Sequence, residues 1–191
     1  MSVILMPDTC NQSRMSVSKP DTVSHAVSNH SLITLTAAVA VCEAIESLTD
    51  KRPQIKWVND VFLNERKICG ILAEALADRI VVGIGINFIM PPGGFPPEIS
   101  QTAGALFDQP PASLTREQLA KEIVVRLLSD AFHLDAYKKR LLILGRRVSV
   151  ITPDIIYEAT AIDIDDSGGL IVQNENGEII TLTAGEVSLK L

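Results

Sequence analysis

Two lysines, three glycines and an asparagine fall within residues 56–87 in a pattern that can do chemistry. Lys56 lies between Ile55 and Trp57 in a short alternating run, and Lys67 opens a later apolar run of the same region. Lysines on neighbouring strands either sit on a solvent face, as most do, or converge on the oxygens of a phosphate or carboxylate. Gly83, Gly85 and Asn87 share one strand face because side chains alternate with period two, and Gly70 repeats the feature in the preceding strand. Glycine inside a strand marks close approach of a ligand or another backbone; tight packing of a helix on the sheet leaves the same trace. Gly-x-Gly-x-Asn is not a dinucleotide fingerprint, since the third glycine is missing and the motif lies within a strand. The combination suits a small anionic ligand.

Other candidates say less. Asn59-Asp60 reads as a turn, with Asp60 also a possible carboxylate partner for Lys56. Trp57 is core or a pocket wall. Cys69 is a small core residue, because nothing near it in sequence marks an activated thiol. Asp163, Asp165 and Asp166 lack the calcium-loop pattern and read as a solvated turn. Cys10, Cys42 and Cys69, with His25, His30 and His133, are scattered. They predict neither a disulfide framework nor a metal site.

The elements that must position these groups follow from periodicity. Ser2–Met6 reads as a strand and 7–31 as a polar loop. Leu35, Ala38, Val39, Cys42, Ile45 and Leu48 recur at three and four, which predicts a largely buried helix over 32–48. Residues 54–89 divide into four apolar runs joined by short turns, an antiparallel meander. Pro91–Pro97 predicts a loop beside it. Thr115 with Gln118 forms a capping box, opening a second helix that runs to the cations Lys138, Lys139 and Arg140. After Gly145, five short strands in under 50 residues describe a small β-barrel.

With 191 residues, 47% hydrophobic and 21% charged, the chain can bury a core of useful size. The net charge of −6 argues against a general nucleic-acid binder. Charge is uneven: residues 51–67 hold five basic and two acidic residues, whereas 145–191 hold three basic and eight acidic. A local basic island in an acidic chain suits a small anion better than a polyanion. No run approaches the roughly 18 apolar residues of a membrane helix, and the N-terminus lacks a signal-peptide pattern. A reduced, cytoplasmic protein is expected.

Lys56-Trp57-Val58-Asn59-Asp60, then Arg66-Lys67-Ile68-Cys69-Gly70-Ile71-Leu72-Ala73-Glu74, then Val82-Gly83-Ile84-Gly85-Ile86-Asn87, resemble the biotin–protein ligase family in order and spacing. Gly145-Arg146-Arg147-Val148, Asp165-Asp166-Ser167-Gly168-Gly169-Leu170 and Gly185-Glu186-Val187-Ser188-Leu189 resemble that family's SH3-like C-terminal domain. The resemblance implies an α+β fold: a partial class II synthetase-like (biotin/lipoate ligase) mixed sheet with helices at 1–144, and a small SH3-like barrel at 145–191. It implies ATP-dependent activation of biotin to biotinyl-5'-AMP and transfer to a lysine of a biotin carboxyl carrier domain, with Mg²⁺ sharing the phosphate charge. Lys56 is expected at the biotin carboxyl and the adenylate phosphate, and as the catalytic residue. Lys67 and Asn87 are expected at ATP, and Gly70, Ile71 and Leu72 at biotin. A homodimer is expected because exposed sheet edges invite pairing; nucleic acid and membrane are not expected partners of these residues. The family's Gly-Arg-Gly-Arg-type loop is not in the sequence. The expectation is that it belongs upstream of Met1 and that its absence impairs catalysis. The alternatives are a non-catalytic biotin- or carrier-binding fragment, a biotin-responsive repressor remnant and a lipoate-type ligase, the last disfavoured by the motifs.

Overall fold

The structure, a computed structural model, describes residues 2–5, 24–76, 79–129, 134–152, 155–183 and 185–189. Met6, the segment 7–23 with Cys10, the turn at 77–78, His133 and Lys190 lie outside the described residues.

Strand β1 (Ser2–Leu5) precedes helix α1 (Ser24–Leu48). The meander follows as β2 (Gln54–Lys56), β3 (Asp60–Leu63), β4 (Arg66–Leu76) and β5 (Arg79–Ile86). The sheet order is β1-β5-β4-β3-β2, so the first strand of the chain closes on the last of the meander. Every ladder is antiparallel, and parallel pairing appears as three isolated bridges, Ile55 to Leu141, Lys67 to Ala103 and Ile89 to Phe107. Cys69, Ile71, Val82, Ile84 and Ile86 form the buried face of β4 and β5. Helix α1 covers it with Leu35, Ala37, Ala38, Val41, Cys42, Ala44 and Ile45. The alanines allow a close approach, and each buried aliphatic side chain contributes about 1.5–3 kcal/mol.

Two helical readings change. Helix α1 begins at Ser24, inside the stretch read as loop. The serines, asparagine and histidines of 24–31 are weak helix formers, but propensity costs only a few tenths of a kcal/mol per residue, and extending a helix already formed over the buried 35–45 stretch needs no new nucleus. The second helix stops early. Helix α2 (Arg116–Leu128) ends where Ser129 turns extended and its hydroxyl donates to the Arg126 carbonyl at 2.7 Å, a local bond that competes with helix propagation. Helix α3 (Leu134–Lys138) is a separate turn. The capping box is present: the Thr115 hydroxyl accepts from Gln118 N at 3.2 Å, and Thr115 N donates to Gln118 Oε1 at 2.8 Å. Leu119 and Ile123 are fully buried, and Arg126 bridges Glu43 of α1 at 3.3 Å.

The second sheet comprises β6 (Arg147–Ile151), β7 (Ile156–Ile164), β8 (Leu170–Asn174), β9 (Ile179–Leu182) and β10 (Glu186–Leu189), in the order β10-β6-β7-β8-β9. Its core is aliphatic: Val148, Val150, Ala159, Ala161, Leu170, Val172 and Val187 are buried. Helix α3 links the two sheets: its buried Tyr137 donates its hydroxyl to the Val58 carbonyl beside β2 at 3.1 Å, and its Lys138 pairs with Asp163 of β7 at 2.8 Å.

Candidate functional site

The ladder registers place one row of residues straight across the first sheet. Lys56 pairs with Asp60, Asp60 with Gly70, Gly70 with Gly85, and Gly85 with Ser2. Directly paired residues project from the same face. The row therefore reads cation, carboxylate, bare, bare, and this face is the one α1 does not cover. A Cβ added at Gly85 would meet nothing nearer than the Gly70 carbonyl at 3.8 Å, and one at Gly83 only the Leu72 carbonyl at 3.8 Å. These distances are ordinary contacts, so helix packing does not account for the glycines. Gly70 and Gly85 floor a cleft of about 600 Å³.

Lys67 reaches this face through a β-bulge. Strict alternation from Gly70 would put residue 67 on the covered face and Ile68 on the open one. Instead Val61 pairs with Cys69 and Phe62 with Lys67, so Ile68 is skipped and turned into the core, where it is fully buried. A bulge re-aims the side chains that follow it, and here it delivers Lys67. Its Nζ bridges Asp60 Oδ1 at 2.6 Å. Asp60 is thus held by Lys67 and not, as the sequence suggested, by Lys56. Among the described residues Lys56 has no ion-pair partner, and its side chain lines the cleft.

The loop after β5 closes one wall. Lys67 N donates to the Thr102 carbonyl and Gly104 N to the Lys67 carbonyl, both at 2.8 Å. Gly104 is obligatory there, because a Cβ would lie 2.7 Å from Arg66 Cβ. Asn87 Nδ2 donates to the Gly104 carbonyl at 2.9 Å, so this cleft residue also ties down the loop. Asn59 is structural: its Nδ2 donates to the Ile71 carbonyl at 2.8 Å. Cys69 is buried, and its thiol is pushed up to about 12 by burial first and Asp60 second, with Lys67 opposing. It stays a protonated core thiol at neutral pH.

Of the site residues expected from sequence, Lys56, Lys67, Gly70 and Asn87 line the cleft. Ile71 does not present its side chain to it: the residue is 2% exposed and packs in the core on the other face. Leu72 returns to the open face, 60% exposed, one pleat beyond the cleft lining. Sequence reasoning missed the opposite wall, which Leu142 and, from the second part of the chain, Arg146, Glu186 and Ser188 supply. Alternation about buried Val187 was the available signal, since it sends Glu186 and Ser188 to one face together. Trp57 is core at 4% exposure, and its Nε1 donates to the Gly168 carbonyl at 3.0 Å. Among the described residues no cluster of His, Cys, Asp or Glu is arranged to hold a metal ion, and no helix is long and apolar enough to cross a membrane.

A floor without side chains, flanked by Lys56 and by Lys67 held on a carboxylate, with Arg146 opposite, can seat a ligand carrying negative oxygens against backbone. Residues 15–88 match the biotin/lipoate A/B protein ligase family, and residues 143–190 match the biotin protein ligase C-terminal domain. The bifunctional ligase/repressor BirA of Bacillus subtilis (strain 168) is 28% identical over 167 residues, covering 76% of this chain and 49% of that protein. The biotin--[acetyl-CoA-carboxylase] ligase of Paracoccus denitrificans is 34% identical over 158 residues, covering 71% of this chain and 62% of that protein. The biotin protein ligase of Aquifex aeolicus, solved in complex with biotin and ATP, superposes with a TM-score of 0.70 at 26% identity, covering 84% of this chain and 71% of that one. The chain spans about half the length of the first of these curated relatives. Both of its sheets fall largely within the two matched segments, and the chain belongs to the biotin protein ligase family.

Proposed function

We propose that this chain carries the ligation chemistry of a biotin–[acetyl-CoA-carboxylase] ligase, with a partial catalytic domain at 1–144 and an SH3-like domain at 145–191. The observation that carries the reading is the cross-sheet row Lys56, Asp60, Gly70, Gly85 beneath the cleft. A carboxylate oxygen of biotin attacks the α-phosphorus of ATP, and the bond to pyrophosphate breaks. The acceptor lysine amine of a carrier domain then attacks the acyl carbon, AMP leaves, and the amine proton passes to solvent. The first step brings two anions together, and fixed cations stabilise what develops between them. Lys56 meets the carboxyl and the α-phosphate, Lys67 the remaining phosphates, and Asn87 the nucleotide. Gly70 gives biotin its floor, Leu72 extends that floor, and Ile71 contributes only backbone. Mg²⁺ would arrive with the triphosphate, and we assign it no protein ligand. The partner is a biotin carboxyl carrier domain; we also propose a homodimer, no nucleic-acid partner for these residues, and a cytoplasmic location.

Titration calorimetry of the 191-residue chain with biotin tests the reading. Saturable binding that Lys56→Ala weakens between about tenfold and about a hundredfold, the fold-change that matches about 1.5–3 kcal/mol for one hydrogen bond to a charged group, is expected. Lys56→Arg restores little, because a planar fork does not replace a point charge in a tight site. Equal binding by wild type and Lys56→Ala would sink the assignment. The sequence contains no Gly-Arg-Gly-Arg-type segment, and we propose that biotin-dependent ATP–pyrophosphate exchange by these residues alone is correspondingly slow. Exchange at a typical enzymic rate would contradict that part.

A further inference from the structure

Lys56 ends a strand of three residues at the edge of the first sheet. Few ladder bonds hold such a strand, and no ion pair among the described residues fixes the Lys56 ammonium. What fixes this lysine is the anchoring of its two neighbours. On one side Ile55 is fully buried; its N–H donates to the Arg140 carbonyl at 2.7 Å, and its carbonyl accepts from Leu142 N at 2.8 Å. On the other, the buried Trp57 indole donates to the Gly168 carbonyl at 3.0 Å, 111 residues away in the turn between β7 and β8 of the other sheet.

The Gly168 carbonyl is held in turn by Asp165. One carboxylate oxygen, Oδ1, accepts from Ser167 N at 2.9 Å, Ser167 Oγ at 2.7 Å and Gly169 N at 2.8 Å. The Asp165 carbonyl accepts from Gly168 N at 3.0 Å, and Asp165 N donates to the Gly169 carbonyl at 2.9 Å. Gly168 has φ +87°, the left-handed region that favours glycine. A Cβ at Gly169 would sit 2.8 Å from both Asp165 Oδ2 and Thr181 Cγ2. A surface turn fixed at this many points presents one buried acceptor, and that acceptor faces Trp57.

We propose that Asp165 is a positioning residue for Lys56: it fixes the Gly168 carbonyl as the acceptor for the Trp57 indole, and so sets the place of Lys56 in the cleft from the opposite sheet. This rests on the role given to Lys56 above. Ser167 and Gly168 are parts of the same device, and Trp57 is its transmitting element.

The test uses the full chain. Trp57 is its only tryptophan, so intrinsic emission reports the joint directly. Asp165→Ala is expected to shift Trp57 emission to the red. It should also change the reductive-methylation rate of Lys56 severalfold in mass-spectrometric peptide maps, while Lys67 keeps its rate. Asp165→Asn retains Oδ1 as an acceptor and is expected to restore both readouts. Biotin affinity should fall about tenfold in Asp165→Ala, in line with small displacements of a positioned group. Added to Lys56→Ala, it should cause no further fall, because the effect runs through Lys56. A turn that only stabilises the fold would lower the melting temperature, leave Lys56 labelling unchanged and add its loss to that of Lys56→Ala; that pattern overturns the proposal. If Asp165→Ala does not fold, Trp57→Phe removes the N–H donor together with one ring of the indole while keeping a planar aromatic ring in the core, and it must show the same Lys56 labelling change. Biotin affinity unaffected by Lys56→Ala would defeat the functional reading, while the labelling and emission arms still decide the positioning role.

Discussion

The two five-stranded sheets use glycine in opposite ways. In the first, Gly85 stands where a Cβ would meet nothing nearer than 3.8 Å, its paired neighbour Gly70 would meet only the flexible end of Lys67 at 3.4 Å and Asp60 at 3.7 Å, and the space above them is a cleft. In the second, Gly168 and Gly169 stand where the protein tolerates none, one for its φ of +87° and the other for contacts of 2.8 Å. The first pair leaves room for something that is not protein. The second pair is needed by the protein itself. Contact distance around an absent Cβ thus separates glycines that serve a ligand from glycines that serve the fold, and the two kinds predict different failures.

The largest effect is expected at Gly85. Gly85→Val puts a branched side chain on the cleft floor with no backbone nearer than 3.8 Å to its Cβ. Valine is favoured in strands, so the melting temperature should hold or rise slightly. Biotin binding should fall more than about a hundredfold, since an overfilled pocket cannot relax into a rigid ladder. A variant that loses binding and unfolds together would break the distinction between the two kinds of glycine.

Gly169→Ala should do the reverse. The added methyl must displace Asp165 or Thr181, and overpacking of this kind costs about 1–3 kcal/mol. Chemical denaturation should show that loss, together with a red shift of Trp57 emission as the turn releases the indole. An unchanged denaturation midpoint would show that the turn yields more easily than its hydrogen bonds suggest.

Most of the first sheet was legible because its signals are local. Apolar runs and turn signals gave the four strands of 54–89, and period two put Gly83, Gly85 and Asn87 on one face. Thr115 and Gln118 announced the start of α2. What was not legible depends on contacts distant in sequence or on a break in periodicity. The bulge that skips Ile68 gives Lys67 the face opposite to the one strict alternation from Gly70 would give it, and no residue type at 61–68 announces it. Asp60 took Lys67 rather than Lys56, a choice made by that bulge. Ser129 ends α2 by a hydroxyl bond where the apolar pattern continued. The wall formed by Arg146, Glu186 and Ser188, like the Trp57–Gly168 bond, exists only because the second sheet docks beside the first.

The smallest expected effect is on acid stability, and it belongs to the second sheet. Lys138, through its hydrogen bond, holds the Asp163 carboxyl below its ordinary value of 3.8, with the Ile164 N–H assisting. Burial alone would raise Asp165, but the Ser167 hydroxyl and the N–H groups of Gly169, Ser167 and Gly168 outweigh it, so that this carboxyl too lies below 3.8. A carboxyl depressed in the folded state contributes stability that is present above its unfolded value and lost as pH falls through its folded value. The melting temperature should therefore be flat from pH 7 to about 5 and decline below about 4. Asp165→Asn should flatten that decline, since the variant has no proton to take up and its turn keeps an acceptor oxygen. Asp163→Asn should flatten it less: the Asp163 side chain is 46% exposed, and water screens its pairing with Lys138. Trp57 emission followed over the same range locates the effect, because loss of the Asp165 turn should shift it before global unfolding. Parallel acid limbs in wild type and Asp165→Asn would show that the second sheet is held by its aliphatic core alone, leaving the turn without a measurable share in stability.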